Sequence, residues 1–125
     1  MCNCLHTNSR LLNRESGVGF KIFGINNTSM VGSNEYVTAV NDWVRWHKTK
    51  FNQGIGFCVF VDEEEAMRCC KLWVNAGSWN HGCNVKRVRY SGAVAEHIED
   101  SIITSGHDKW LVRLVKRFKI VEEGK

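Results

Sequence analysis

Short stretches of alternating or continuous apolar residues predict the first elements of the chain. Residues 18–24 alternate apolar with small or polar side chains between glycines, which is typical of a β-strand. Residues 55–61 are almost continuously apolar, a pattern that favours a central strand covered on both faces. Residues 25–33 are rich in Asn, Ser and Gly, so we predict that a loop follows the first strand.

A helix is predicted directly after the second strand. Asp62 is a favourable N-cap, and Glu65 three residues later completes an aspartate version of the capping box. Apolar residues then recur at helical spacing as far as Val74, and Gly77 provides an end. The pattern therefore predicts a helix over about residues 63–75. Its acidic start is interpreted as a solvated first turn that suits the helix dipole, rather than as a catalytic or metal-binding cluster.

The second half of the chain predicts further strands and leaves two segments open. Residues 84–90 alternate in the manner of a strand, Ser91-Gly92 predicts a turn, and residues 93–97 return as a short strand. Residues 109–121 fit either a helix or a strand, and their density of Val and Ile favours the strand. Residues 35–48 fit both patterns, so helix and strand remain alternatives there.

Together these elements predict an α+β fold, in which a mostly antiparallel sheet packs against one principal helix. A chain of 125 residues has room for one core. Residues 1–16 are mostly polar and are interpreted as an N-terminal lead-in or edge segment, followed by a single domain over residues 17–125. No run of about 18 apolar residues and no hydrophobic signal region is present, so we expect no membrane contact and a cytoplasmic location.

The six cysteines are expected to be mostly free thiols, because no secretory signal is present. Cys58 and Cys70 are interpreted as buried packing residues. Cys2, Cys4 and His6 alternate and could share one face towards zinc, but a structural zinc site needs four ligands. We therefore predict neither a metal site nor a cofactor.

Enzymatic activity receives little support from the nucleophiles of the sequence. Cys83 follows His81 closely, but residues two apart rarely meet correctly, and no third group that would orient the histidine is evident. Residues 77–83 are therefore interpreted as a surface loop that exposes Trp79. We predict no catalytic residues.

The strongest functional signal is a basic surface with aromatic residues beside it. The net charge is +4, which permits an acidic partner. On the predicted strands, the two arginines of residues 84–90 point to one side, and three cations of residues 109–121 share a side. If the two strands are neighbours, all five cations lie on one surface. The predicted binding residues are Arg87, Arg89, Arg113, Arg117, Lys119, Trp43, Trp46 and Trp79.

Three interpretations of this surface remain open. Trp and Arg are enriched in protein hot spots, so a protein partner is one of them. Phosphate attraction combined with base stacking makes nucleic acid the second. The third is a solvated sheet face, balanced in part by Glu96, Glu99 and Asp100.

The order of several motifs resembles a diffuse group of small proteins from phages and mobile elements. Their common pattern is a Gly-Phe-x-x-Phe strand followed by a helix that begins Glu-Glu-Ala. The resemblance covers about residues 18–121, and this chain has Cys58 where the pattern often has His. The motifs that carry it are Met1-Cys2-Asn3-Cys4, Gly19-Phe20-Lys21-Ile22-Phe23, Gly56-Phe57-Cys58-Val59-Phe60, Glu64-Glu65-Ala66 and Lys119-Ile120-Val121-Glu122-Glu123.

The resemblance implies a binding protein that counteracts host defence. Such proteins inhibit or modulate a host macromolecular complex, for example a defence nuclease in the manner of an anti-CRISPR protein, by steric occupation. The expected partner is a host protein or ribonucleoprotein complex inside the host cell, and direct nucleic-acid binding is the alternative. A homodimer through strand edges is also compatible with the sequence, which contains no proline.

A second alternative is an enzyme with an ADP-ribosyltransferase-like fold or another nucleotide-binding protein. Residues 20–24 and 56–66 are similar to such enzymes in the order of a strand, a Gly-aromatic strand and a helix. Those enzymes carry His or Arg on the first strand to hold the nicotinamide cofactor. This chain offers Lys21 at that place, so the sequence favours a protein that is not an enzyme.

Overall fold

Five β-strands and one α-helix make up the regular structure of the described residues. The computed structural model describes residues 8–24, 40–47, 54–76, 84–100, 106 and 108–121. The elements in chain order are β1 (Arg10–Phe23), β2 (Val44–Arg45), β3 (Phe57–Phe60), α1 (Glu63–Asn75), β4 (Asn84–Asp100) and β5 (Lys109–Ile120). The named strands pair antiparallel, and α1 packs on the sheet, so the predicted α+β class is confirmed.

The sheet closes on itself through β5. This strand pairs with β4 along one side and with β3 and then β2 along the other. β1 completes the ring, because it pairs with β4 and also reaches β3 at Phe20 and Phe60. Gly19 permits that approach, since a Cβ atom there would lie 2.5 Å from the Val59 side chain.

Both faces of the central strands are buried. On the outer face, Cys58, Trp110 and Leu114 pack with Ala66 of α1 and neighbouring residues. On the inner face, aromatic and aliphatic residues from all five strands form a second cluster, in which the Phe57 and Phe118 rings meet edge to face at 4.9 Å. All four residues of β3 are buried, which confirms that the apolar run at residues 55–61 contains a doubly covered strand.

Helix α1 begins and ends where the sequence predicted. The Asp62 carboxylate accepts a hydrogen bond of 2.8 Å from the Glu64 backbone N–H, as an N-cap does. The capping-box interpretation of Glu65 is wrong, because its carboxylate accepts from the Leu111 backbone N–H at 2.9 Å. Glu65 therefore ties the first turn of the helix to β5.

The prediction for residues 109–121 is confirmed, whereas two other strand predictions need correction. No turn separates residues 84–90 from 93–97. β4 instead runs on through a left-handed Gly92 (φ +72°), and its register with β5 shifts between Ala93 and Ala95. β1 starts at Arg10, so residues 10–16 of the predicted polar segment belong to the sheet. Within residues 40–47, the open segment forms the short strand β2.

The cysteine prediction is confirmed in part. Cys58 and Cys69 are free and buried, and burial raises the pKa of each thiol to about 12. Cys70 is buried in the outer cluster, as expected of a packing residue, but it is disulfide-bonded, so the expectation of a free thiol is wrong for it. Cys2, Cys4, His6, His81 and Cys83 lie outside the described residues.

The described part of the chain contains neither a metal cluster nor a membrane-spanning helix. No group of three or more His, Cys, Asp or Glu side chains within it is arranged to hold a metal ion. Among the same residues, no helix combines the length and the apolar character that a membrane crossing requires.

Candidate binding surface

Trp43 lies on the outside of β5 beneath two cations. It precedes β2, which pairs with the end of β5. The Arg117 guanidinium lies 4.6 Å from the centre of the Trp43 ring, and the Lys119 ammonium lies 4.9 Å from it. Trp43 remains 41% exposed. The arrangement holds two cations against an aromatic ring that is still open to a partner.

Like charges face each other across the strands that surround Trp43. Arg45 of β2 lies directly opposite Arg117 of β5, and Arg89 of β4 lies directly opposite Lys119. Cross-strand partners share a face of the sheet, so these four side chains lie on one surface. Like charges in this position destabilise a sheet, which makes two such pairs side by side unusual.

Arg87 extends the same surface by one step along β4. It is exposed and lies two residues before Arg89, which places it on the same face. We call Arg45, Arg87, Arg89, Arg117 and Lys119 the basic face. Within the described residues, no carboxylate forms a salt bridge with any of the five. As predicted, β4 and β5 bring their cations together, and this holds for Arg87, Arg89, Arg117 and Lys119.

Arg113 does not join the basic face, contrary to the prediction. Its guanidinium donates to Glu96 at 2.8 Å and to the Tyr90 hydroxyl at 2.5 Å. The reason is a change of phase along β5. Val115 and Phe118 both lie in the inner cluster although they are three residues apart, so the alternation reverses between them. Odd-numbered positions before and after this point consequently face opposite ways.

Trp46 has a structural role that the sequence did not predict. Its ring packs edge to face on Phe57 at 5.0 Å, and its indole N–H donates to the Gly54 carbonyl at 3.2 Å. It is half-buried and belongs to the inner cluster, where it anchors the chain beside β2. Trp79, the third predicted aromatic residue, lies outside the described residues.

Two open grooves meet at Arg117. We call the first the Trp43 groove; its volume is about 370 Å³, and Trp43, Val18, Arg89 and Arg117 are among its lining residues. The second, which we call the Lys116 groove, has a volume of about 390 Å³. It is lined by Arg14, Arg45, Trp46, Ser91, Gly92, Lys116 and Arg117.

Sequence analysis missed three cations of the Lys116 groove, namely Arg14, Arg45 and Lys116. Arg14 lies in a segment interpreted as a lead-in, and Arg45 lies in a segment with no assigned structure. Nothing in the sequence around Arg14 or Arg45 marks it as part of a site. Only the pairing of β1, β2 and β5 brings these two residues close to Lys116. The even-numbered positions of β5 are otherwise apolar, and Lys116 is the exception. This was the one local sign in the sequence that the strand is irregular there.

Lys21 is enclosed within the sheet and does not face either groove. It is fully buried, donates to the Cys58 carbonyl at 3.3 Å, and lies over the rings of Phe57 and Phe118. Loss of hydration on burial lowers its pKa from the ordinary 10.5 to about 8. Lys21 therefore offers no open contact for a nicotinamide cofactor, and the ADP-ribosyltransferase alternative gains nothing from its position.

Comparisons of the chain with protein-family models, curated proteins and solved structures found no match.

Proposed function

We propose that this protein is a binding protein that inhibits or modulates a macromolecular complex by covering an acidic surface of that complex with the basic face. The observation that carries this proposal is the pair of like-charge contacts, Arg45 with Arg117 and Arg89 with Lys119, around a half-exposed Trp43. A sheet pays stability for such contacts, and an acidic partner returns that stability on binding.

The surroundings of Trp43 have the composition of a protein-binding hot spot. Val18 lines the same groove and is 51% exposed, so an apolar centre lies inside a rim of cations. Interfaces of this kind take most of their affinity from a few central aromatic and arginine side chains. Binding by steric occupation needs only this surface and no catalytic group.

The resemblance to small phage and mobile-element proteins supports a partner within host defence. On that basis the complex would be a defence nuclease or another ribonucleoprotein of the host cell, blocked in the manner of an anti-CRISPR protein. The basic face would dock on an acidic patch of such a complex, outside the positively charged channel that holds the nucleic acid, and would block access or movement from there.

The test is an affinity pull-down from nuclease-treated host lysate, washed at moderate salt and analysed by mass spectrometry. Three baits are compared, namely the wild type, a Trp43→Ala/Lys119→Gln variant, and an Arg68→Gln control. Arg68 pairs with Asp108 at 3.3 Å, away from the basic face. We expect the wild type and the control to retain the same discrete complex and the double variant to lose it.

A purified-component assay then separates binding from inhibition. The retained complex is supplied with its own substrate, and its activity is measured with increasing amounts of each bait. Inhibition by the wild type and by Arg68→Gln, but not by the double variant, is the expected result. If all three baits retain the same proteins, or if none is retained by the wild type, the basic face is not the docking surface.

Direct binding of single-stranded nucleic acid is the second candidate. The observation that favours it is that no described residue lining either groove carries a carboxylate. Contact with about four phosphates predicts a slope of about −3 in a plot of log affinity against log salt for a single strand. A protein interface with an apolar centre depends on salt more weakly, so the slope measured for an oligonucleotide and for the captured complex separates the two candidates.

A further inference from the structure

The Lys116 groove gathers four cations from three strands. Arg14 comes from β1, Arg45 from β2, and Lys116 and Arg117 from β5. Ser91 adds a hydroxyl from β4, and none of the described residues that line the groove is Asp or Glu. A concave site with four positive charges and a hydroxyl is complementary to a compact anion.

Each cation of the groove is held there at a cost. Arg45 and Arg117 lie directly opposite each other. Arg14 adopts a left-handed backbone (φ 52°), which is unfavourable for a residue with a Cβ atom. Loss of hydration, followed by repulsion from Arg14, lowers the pKa of Lys116. The Lys116 ammonium also donates to the Ile55 carbonyl, which fixes its position in the groove.

Such costs are retained in folded proteins where strain and like charges serve a ligand. Within the described part of the chain, the lining of the groove offers no acidic side chain that would offset these costs. The Lys116 groove therefore has the properties of a site that is prepared for an anion before the anion arrives.

From this convergence we infer that the Lys116 groove binds a phosphate monoester. A monoester carries a charge close to −2 at neutral pH and three acceptor oxygens, which matches four cations better than the single charge of a phosphodiester does. The planar guanidinium groups of Arg14, Arg45 and Arg117 each suit two phosphate oxygens. The open side of the groove leaves room for the rest of the ligand.

Two sources supply this chemistry, namely the phosphorylated end of a nucleic-acid strand and a free mononucleotide. The groove shares Arg45 and Arg117 with the basic face, whereas Arg14 and Lys116 belong to the groove alone. Variants of these two residues therefore test the phosphate site without removing a residue of the proposed docking surface.

Isothermal titration with the whole chain provides the test. The probes are a 5′-phosphorylated hexanucleotide, the same strand without the phosphate, adenosine monophosphate and adenosine. The variants are Arg14→Asn, which removes the charge while keeping a residue that tolerates left-handed backbone, Lys116→Gln, and the control Arg87→Gln on the basic face. Thermal melts establish that each variant is folded.

We expect each phosphorylated probe to bind the wild type about tenfold or more tightly than its unphosphorylated counterpart. Arg14→Asn and Lys116→Gln remove most of this preference, and Arg87→Gln retains it. The preference also falls between pH 7.5 and pH 5, because the phosphate loses its second charge near pH 6. Preference for the phosphorylated strand over adenosine monophosphate identifies a strand end as the source, and equal affinity identifies the free nucleotide.

Equal affinity of phosphorylated and unphosphorylated probes overturns the inference, as does a preference that survives in Arg14→Asn. Absence of measurable binding by all four probes overturns it as well. The proposed docking function fails separately, namely if the Trp43→Ala/Lys119→Gln variant still retains the complex, and that result does not depend on Arg14 or Lys116.

Discussion

The two ends of the β4–β5 ribbon contain the same kinds of cation in opposite surroundings. At the end near α1, Arg113 and Arg10 both bond to Glu96, and Lys109 meets Asp100 at 2.5 Å. At the other end, Arg89 faces Lys119, and Arg45 faces Arg117 beyond it. The β4–β5 pair thus carries opposite charges that match near α1, whereas its other end carries one opposed like-charge pair, with a second between β5 and β2.

The difference separates residues that hold the sheet together from residues that are available to a partner. Opposite charges across strands contribute about 0.2–1 kcal/mol each, and like charges cost a similar amount. Carboxylates are present elsewhere in the chain, so a balanced sheet was available to this composition. The proposed function accounts for the concentration of like charge at one end, which a solvated face would not require.

Lys21 extends this comparison, because it is a cation that is fully buried. Of all the changes considered, we expect its replacement to have the largest effect on stability. Lys21→Met should raise the free energy of unfolding at pH 7 by up to about 3 kcal/mol, because a native pKa of about 8 against an ordinary 10.5 disfavours the charged form by that amount. Denaturant unfolding measures the change. Lys71→Met, which removes an exposed lysine of α1, is the control.

The sign of the pH dependence follows from the same values. Between about pH 8 and pH 10.5 the unfolded chain binds more protons at Lys21 than the native protein does, so wild-type stability rises with pH in this window. The advantage of Lys21→Met should therefore shrink as the pH rises from 8 to 10. A constant advantage over that range would contradict the proposed cause.

Loss of the Glu96 charge, at the end of the ribbon with opposite charges, should lower the free energy of unfolding by about 2 kcal/mol at neutral pH. The Glu96 side chain is 12% exposed, and Glu96→Gln removes the charge that bonds both Arg10 and Arg113. Burial raises the pKa of Glu96, but the bonds from the two arginines outweigh it and hold that pKa below the ordinary value. The stabilisation is thus present above the ordinary pKa of a glutamate and is lost as the pH falls through the native one.

Unfolding curves at pH 7 and pH 3 check this prediction. The difference between Glu96→Gln and the wild type should narrow at the lower pH, where the wild-type carboxyl becomes protonated. Glu64→Gln, in the exposed first turn of α1, is a matched control that should change stability little. A deficit of equal size at both pH values would show that the carboxylate charge is not responsible.

A change at the end of the ribbon with like charges should have a smaller effect, and it should raise stability. Lys119→Glu converts its contact with Arg89 into an opposite-charge pair and should stabilise the fold by about 0.5–1 kcal/mol. The same change should abolish capture of the complex by the basic face. Unchanged or lower stability would mean that the like-charge contact costs the sheet nothing.

Added salt should produce the smallest effect. Raising the concentration of sodium chloride from 0.05 to 0.5 M screens the repulsion across the basic face, so wild-type stability should rise by a few tenths of a kcal/mol. Lys119→Glu should lose part of this gain, because only the Arg45–Arg117 pair still repels. Thermal melts of the two proteins in parallel provide the measurement, and identical salt responses would contradict it.

Elements with a strong local signal were predicted from the sequence. The Asp62 cap and the helical spacing defined α1, and continuous burial was predicted for β3 from its apolar run. The basic face was predicted in part, because alternation on β4 and the second half of β5 holds locally. Arg113 was placed on the wrong side because the alternation reverses between Val115 and Phe118, opposite the left-handed Gly92, where the sequence suggested only a turn.

The Lys116 groove could not be predicted for a related reason. Arg14, Arg45 and Lys116 are far apart in the chain, and each lies where the local pattern is weak or broken. Their proximity depends on the register of β1, β2 and β5, which is fixed by long-range pairing rather than by residue type. Residues of this kind become visible as a group only in the folded chain.

Closure of the sheet by β5 also links the basic face to the folding of the whole sheet. β5 pairs with β2, β3 and β4, so the ring cannot close until this strand joins β2 and β3, which are distant in the chain. Until then the inner aromatic residues lack the cover of β5, and Arg89 and Trp43 have neither Lys119 nor Arg117 beside them. The basic face therefore forms only as the ring closes, and any opening that releases β5 disperses its cations before the rest of the sheet unfolds.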